Sequence, residues 1–322
     1  RGRGGGAGDA ERRRAFTKQD ELALDHNYLL YFLSDAYGFA LQGNRPYMED
    51  RCTVLPRVRQ RRAVDQIDEL ECLFSKVSFY GVYDGHGGQI VSEHLRRYLH
   101  RAVLNQRAFR DGSFVEALHN AFLETDGTII RWAFDNRKVD GSTAVVALVV
   151  DNQLITAHAG DSRAVLVRKK KAVRLTSDHK PSRPDEQARI EAAGGFIKHL
   201  GGCYRVNGQL AVARAFGDIL LKGKQLVIAE PEFGVEELTP DDEYLVLATD
   251  GVWDVITDQQ AATMVRKAGG AREGAQRLCE QAYRKGSNDN ITAVVVRLRW
   301  ALDTLRGVDG KQATGAEIAE IL

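Results

Sequence analysis

Phe79-Tyr80-Gly81-Val82-Tyr83-Asp84-Gly85-His86-Gly87-Gly88 is the stretch on which the reading of this chain turns. It begins as a run of aromatic and β-branched residues and stops abruptly at Asp-Gly-His-Gly-Gly. The run predicts a buried strand, and the glycines after it predict a turn. Glycines at 85, 87 and 88 let the backbone approach a neighbour closely. Asp84 is thereby delivered at a strand end, a common place for a site on a rigid scaffold. On this stretch alone two readings stand side by side. One is a tight turn with a capping Asp and a surface His; the other is one corner of a functional site.

The same pattern recurs along the chain. Tyr244 to Thr249 is an apolar run that ends in Asp250-Gly251-Val252-Trp253-Asp254. Asp161 lies in the turn signal Gly160-Asp161-Ser162, and Asp289 precedes the strong β pattern from Ile291 to Leu298. Pro46 disfavours a helix and leaves an extended segment that carries Arg45, Glu49 and Asp50. A single such Asp is usually a turn former. Several in one domain, with no neutralising Lys among them, would repel one another and their pKa values would rise. A divalent cation resolves that conflict. Oxygen ligands without a Cys or His cluster of suitable spacing favour magnesium or manganese over zinc. Two such ions on carboxylates activate water as a nucleophile and clamp a phosphoryl group. Sequence order does not say whether these residues meet in space.

The remaining elements build a scaffold. Val91, Leu95, Tyr98, Leu99 and Ala102 mark the apolar face of a helix. A second helix is predicted from Ser113, with Glu116 completing a capping box and Leu118, Phe122 and Ile129 buried. Thr143 to Val150, Gln153 to Ala159 and Arg163 to Val167 are strand patterns with short turns between them, so consecutive runs are expected to pair as antiparallel meanders. A helix follows with Pro184 in its first turn and Gly194-Gly195 at its end. Residues 196–224 are Gly-rich and weakly periodic, which suggests a surface flap near the site. Two helices are expected after Asp254, the first capped by Thr257 and Gln260. Without regular alternation of strand and helix, antiparallel sheets with helices packed outside fit best.

With 45 basic against 44 acidic residues, the net charge of +1 gives no global case for nucleic acid or a membrane surface. Four scattered cysteines without a C-x-x-C pair argue against a zinc ribbon or disulfide framework and suit a reducing compartment. No apolar run approaches the roughly 20 residues of a membrane helix. The expected location is cytoplasmic or nuclear, although a chain that starts with Arg leaves open a removed targeting segment. Residues 1–28 read as a Gly/Arg-rich tail and lead-in, 29–300 as one catalytic domain, and 301–322 as a tail or short helix. Residues 57–71, basic and then acidic, read as a surface loop or hairpin insertion.

Nine segments in order carry a resemblance to a known family. They are Arg45-Pro-Tyr-Met-Glu-Asp50, Asp84-Gly-His-Gly-Gly88, Gly141-Ser-Thr-Ala-Val145, Gly160-Asp-Ser-Arg163, Asp178-His-Lys-Pro181, Arg189 to Gly195, Arg214-Ala-Phe-Gly-Asp218, Asp250-Gly-Val-Trp-Asp254 and Ser287-Asn-Asp-Asn290. Together they resemble the metal-dependent serine/threonine protein phosphatases of type 2C, most closely the plant-type branch. The resemblance implies an α+β fold, a four-layer αββα sandwich of two antiparallel β-sheets flanked by helices. It implies hydrolysis of phosphoserine and phosphothreonine by a metal-activated water at a binuclear magnesium or manganese (Mg2+ or Mn2+) centre. Asp84 would bridge both ions, Asp250 and Asp289 would hold one, and Glu49 with the Gly85 carbonyl the other. Arg45 would grip the phosphate and His86 would protonate the departing oxygen. Asp161 and Asp254 match positions that bind a third ion in many members, and Thr143 a position beside the same water network. The implied partners are phosphoprotein substrates of a monomeric signalling enzyme.

Blander readings stand beside these roles. Asp161 also suits a plain turn cap, Asp254 a helix end and Asp50 a supporting or ion-paired role. His179 reads as structural and Trp253 as core. Ala213 departs from the Ser of many members, and residues 196–213 lack the Trp of the hormone co-receptor branch, so the resemblance does not extend to that role. A non-catalytic binding module on the same fold would be marked by loss of Asp84, Asp250 or Asp289, and none is lost. A two-metal nuclease would want a basic groove, which the balanced charge does not support.

Overall fold

Alternate residues of the central strands face two different cores, which is why those strands read as unbroken apolar runs. The computed structural model describes residues 35–58 and 77–298. In chain order the first elements are β1 (Asp35–Leu41), β2 (Arg51–Leu55), β3 (Val77–Tyr83), β4 (Gly85–His86), α1 (Ile90–Asn105), α2 (Arg107–Arg110) and α3 (Phe114–Asn136). Next come β5 (Gly141–Ser142), β6 (Ala144–Val150), β7 (Gln153–Ala159), β8 (Arg163–Arg168), β9 (Lys171–Arg174) and α4 (Pro184–Ala192). The third group is β10 (Ile197–Leu200), β11 (Cys203–Val206), β12 (Phe216–Gly217), α5 (Ile219–Lys222) and β13 (Glu232–Glu237). The chain closes with β14 (Asp242–Ala248), α6 (Asp250–Trp253), α7 (Asp258–Ala268), α8 (Ala271–Arg284) and β15 (Ile291–Arg297).

Two five-stranded antiparallel sheets form the middle layers, in the orders β1-β15-β14-β8-β9 and β13-β7-β6-β3-β2. Tyr80, Val82, Val145, Ala147, Leu245, Leu247, Val294 and Val296 point inward and pack sheet on sheet. Their neighbours point outward because side chains alternate along a strand. Phe79, Tyr83, Val146 and Leu148 meet Leu95, Leu99, Leu118 and Phe122 of α1 and α3. On the other sheet Val246, Ala248, Ala293 and Val295 meet Val265 of α7 and Leu278 of α8. The result is the four-layer αββα sandwich expected from the resemblance.

Three local expectations are corrected. Consecutive β7 and β8 do not pair: β7 lies between β6 and β13, while β8 crosses to the other sheet beside β14. Gly160-Asp161-Ser162 is therefore a crossing between sheets rather than a hairpin turn. Ser113 does stand at the start of α3, but its side chain makes no capping bond. Its N–H is tied back to the Ala108 carbonyl at 2.8 Å, and the α2 turn decides how α3 begins. Tyr98 lies outside the core at 45% exposure, its ring tilted against His94 with Arg101 over it. The other helix expectations hold, including the full capping box of Thr257 and Gln260 on α7. The flap contains the β10–β11 hairpin, and its Val206, Val212, Ala213 and Ala215 pack in a small core with Ile190 of α4 and Leu226. Only part of 196–224 is surface, since 212–217 turns inward as β12 joins β5 and β4. Residues 1–34, 59–76 and 299–322 lie outside the described residues, as do the expectations for the two tails and most of the 57–71 loop.

Leu247 is fully buried between the sheets. Leu247→Ala is expected to cost about 2–5 kcal/mol. In urea unfolding this reads as a lower midpoint at unchanged slope. A midpoint equal to wild type would show that the sheets do not pack on this side chain.

Candidate metal centre

Strand ends of both sheets open onto one rim. Asp84 follows β3 in one sheet, Asp250 follows β14 in the other, and Asp161 sits on the crossing between them. Ligand-type oxygens of these three carboxylates all lie within 4.8 Å of one another. Asp289 reaches the rim from the segment before β15. Four positions separated by as much as two hundred residues thus share one corner because sheet pairing leaves their strands ending there.

Hydrogen bonds lock this corner. The Thr143 N–H donates to the Asp84 carbonyl at 2.9 Å, and the Thr143 hydroxyl pairs with Ser162 Oγ at 2.8 Å, next to Asp161. Asn290 clips the segment that carries Arg45 and Glu49. Its Oδ1 accepts from the Glu49 N–H at 2.7 Å, and its Nδ2 donates to the carbonyls of Gln42 (2.8 Å) and Tyr47 (3.0 Å). Glu49 is held through its main chain, and its carbonyl also accepts from the Ser92 hydroxyl. At Gly85 a Cβ would fall 2.5 Å from that carbonyl and 2.8 Å from Ser92 Oγ, so only glycine lets β4 pack there. Asp50 lies buried behind the rim, accepting from Thr249 Oγ1 at 3.0 Å, while its Oδ1 has no hydrogen-bond partner.

The electrostatics match this crowding. Burial pushes the Asp84 carboxyl far above the ordinary range, and Asp50, Asp250, Asp161 and Asp289 push it the same way. Burial and then Asp161 and Asp254 raise Asp250, against the relief that Lys180 provides. Burial carries Asp50 to about 7 despite its bond from Thr249. An orphaned buried carboxylate oxygen beside three convergent acids is a donor set for a hard divalent cation. By this test the residues fit magnesium or manganese.

Other expected site residues fall around this set. Arg45 is half exposed at the rim and bonds Asp289 Oδ2 at 2.7 Å. Asp254 is exposed at the end of α6 with its N–H on the Asp250 carbonyl at 2.9 Å, outside the group of three but close enough for Asp161 to raise its pKa alongside burial. His86 faces Asp218, whose two oxygens both lie 2.9 Å from Nε2. Burial works against charge on His86, yet Asp218 raises its pKa overall. His179 is fully buried, stacked on His158 at 4.4 Å and bonded to Gly160, a structural place. His158, His179 and Glu232 form a second ligand-type group, but Arg183 and Arg214 already neutralise Glu232. Trp253 is buried with its N–H on the Ala248 carbonyl at 2.8 Å.

Three residues that matter here had no role assigned from sequence. Lys180 forms an ion pair with the buried Asp161, so the acids do have a neutralising Lys. Burial opposes its charge, but Asp161, Asp250 and Asp254 hold its pKa above the usual value. Asn290 and Asp218 each stood inside a quoted motif, and only their long-range partners reveal what they do. Lys180→Gln is expected to lower metal-free stability by about 2 kcal/mol, because it strands a buried carboxylate. Such a loss lowers Tm by roughly 4–8 °C in a chain of this size. Thermal melts with chelator and with magnesium check this, with the rise on adding magnesium larger in the variant than in wild type. An equal Tm in chelator would contradict the ion pair.

Comparison with known proteins places this geometry. The family described as Protein phosphatase 2C matches residues 35–291. "Probable protein phosphatase 2C 59" of Arabidopsis thaliana is 42% identical over 221 residues, covering 69% of this chain and 70% of that protein. "Probable protein phosphatase 2C 52" of Oryza sativa subsp. japonica is 37% identical over 268 residues, and the chain spans only 51% of its length. Among solved structures, a serine-threonine phosphatase 2C from Toxoplasma gondii superposes with a TM-score of 0.73 at 26% identity, covering 84% of this chain and 96% of that one.

Proposed function

The chain belongs to the protein phosphatase 2C family, and from that premise we propose that it removes phosphate from phosphoserine and phosphothreonine in proteins at a binuclear magnesium or manganese centre. The observation that carries this reading is the convergence of Asp84, Asp161 and Asp250 from two sheets onto one rim. Asp84 and Asp250, with Asp289, Glu49 and the Gly85 carbonyl, would hold two ions, and Asp161 with Asp254 a third. When bound, such ions supply an acidified water as nucleophile and offset charge on the phosphoryl oxygens.

The chain's own groups do the rest. Arg45 presents a planar guanidinium at the open rim, suited to two phosphate oxygens. His86 donates a proton to the serine or threonine oxygen as its bond to phosphorus breaks. Thr143 and Ser162 keep Asp84 and Asp161 at fixed separation, and Asn290 keeps the Arg45 segment against the rim. No helix among the described residues is long and apolar enough to cross a membrane.

Hydrolysis of a phosphothreonine peptide tests the reading. Wild type is expected to be active with magnesium or manganese and inactive with chelator. Asp84→Asn is expected to lose at least about 10³-fold in kcat/KM, equivalent to roughly 4 kcal/mol of barrier. Hydrolysis that survives chelator, or an undiminished variant, would overturn it.

A further inference from the structure

His86 is held by a carboxylate from a distant part of the chain. Both oxygens of Asp218 lie 2.9 Å from its Nε2, across 132 residues of sequence. A carboxylate can only accept, so this nitrogen carries the hydrogen. The Asp218 side chain is 9% exposed, and little water competes for the bond.

The surroundings over-determine this arrangement. Asp218 has φ 54°, the left-handed region that a residue with a Cβ rarely adopts. Its N–H is fixed on the Asp140 carbonyl at 3.1 Å. The preceding Gly217 N–H is fixed on Asp126 Oδ1 at 2.9 Å, inside α3. Lys222 of α5 reaches back to Asp126 at 3.0 Å and to the Ala215 carbonyl at 2.5 Å, closing the turn. On the other side Gly141 leaves room for the pair: a Cβ there would collide with both His86 Nε2 and an Asp218 oxygen. A left-handed turn residue tied down at its own N–H and at the preceding one, with its side chain on a candidate proton donor, is an observation from which function can be inferred.

We propose that Asp218 is a positioning residue that fixes the orientation and hydrogen placement of His86 for delivery of its proton to the leaving oxygen. This rests on the reading of His86 as the proton donor. As the phosphorus–oxygen bond breaks, the oxygen keeps the electron pair and takes the proton from Nδ1 of the protonated ring, Nε2 keeps its hydrogen on Asp218, and Nδ1 regains a proton from water. Asp218 touches neither substrate nor ion in this step; it acts through the imidazole.

Two substrates separate the outcomes. A phosphothreonine peptide releases an alkoxide that needs the proton, whereas p-nitrophenyl phosphate releases a stable phenolate that does not. Asp218→Asn is expected to lower kcat on the peptide by about 10²-fold. On p-nitrophenyl phosphate the change is expected to stay within about threefold, since positioning for proton delivery is then idle. His86→Gln should show the same split, and the double variant should be no worse than either single one. If His86→Gln lowers both substrates equally, the proton-donor reading fails. If His86→Gln splits the substrates while Asp218→Asn lowers both equally, or neither, the positioning inference fails. Ring ¹⁵N–¹H spectra of wild type, with His86→Gln for assignment, give a check that needs no folded Asp218 variant. They should show hydrogen on His86 Nε2, and a ring carrying it on Nδ1 alone would overturn the inference.

Discussion

Mutual repulsion among buried carboxylates is the constraint around which this molecule is arranged. Burial first, and then the charges of neighbouring acids, hold the pKa values of Asp50, Asp84 and Asp250 above the ordinary carboxylate range, with Asp289 acting on all three and Asp161 on Asp84 and Asp250. No local preference puts them there. The inter-sheet core of Tyr80, Val82, Leu245 and Leu247 and the two outer cores oppose that repulsion. Packing worth many kcal/mol tolerates a few of local electrostatic cost, and strain of this kind concentrates at functional sites.

The cations already within the chain follow from the same constraint. Lys180 answers Asp161, and Arg45 answers Asp289. Both sit on flexible stems at partly exposed positions. Asp50 and Asp84 have no such ion-pair partner among the described residues; Asp50 accepts from the Thr249 hydroxyl, and both acids suit an added cation. This division separates charges that can be exchanged for a ligand from those that cannot move.

Much of the site was legible in the sequence because its chemistry is written at strand ends. An apolar run followed by Asp-Gly marks both Asp84 and Asp250 whatever their partners are. The fold class was legible for a related reason: runs such as Ala144–Val150, buried on both faces, stand out without any pairing information. What escaped depends on contacts that local pattern does not encode. The sheet crossing at Gly160-Asp161-Ser162 looks like any hairpin turn, since short loops favour hairpins and only the burial of both β7 and β8 in different sheets forbids one. Asp218 meets His86 and Asn290 meets Glu49 across 132 and 241 residues. Lys180 follows a buried His and would pass for a surface Lys. Ser113 carried the right capping signature, but the short α2 turn reached its backbone first.

The first and last strands of the described chain are neighbours: β1 pairs with β15 along its whole length, from Asp35 opposite Arg297 to Leu41 opposite Ile291. A ribosome releases the chain from one end, so the sheet that carries β1 lacks its neighbour until almost all of the domain has been made. Pairings between distant strands are slow to form and leave unpaired edges waiting in the meantime. Asp289 lies just before that last strand. Asp84, Asp161 and Asp250 all precede Asp289 along the chain, so the complete set of acids closes only when the final strand docks.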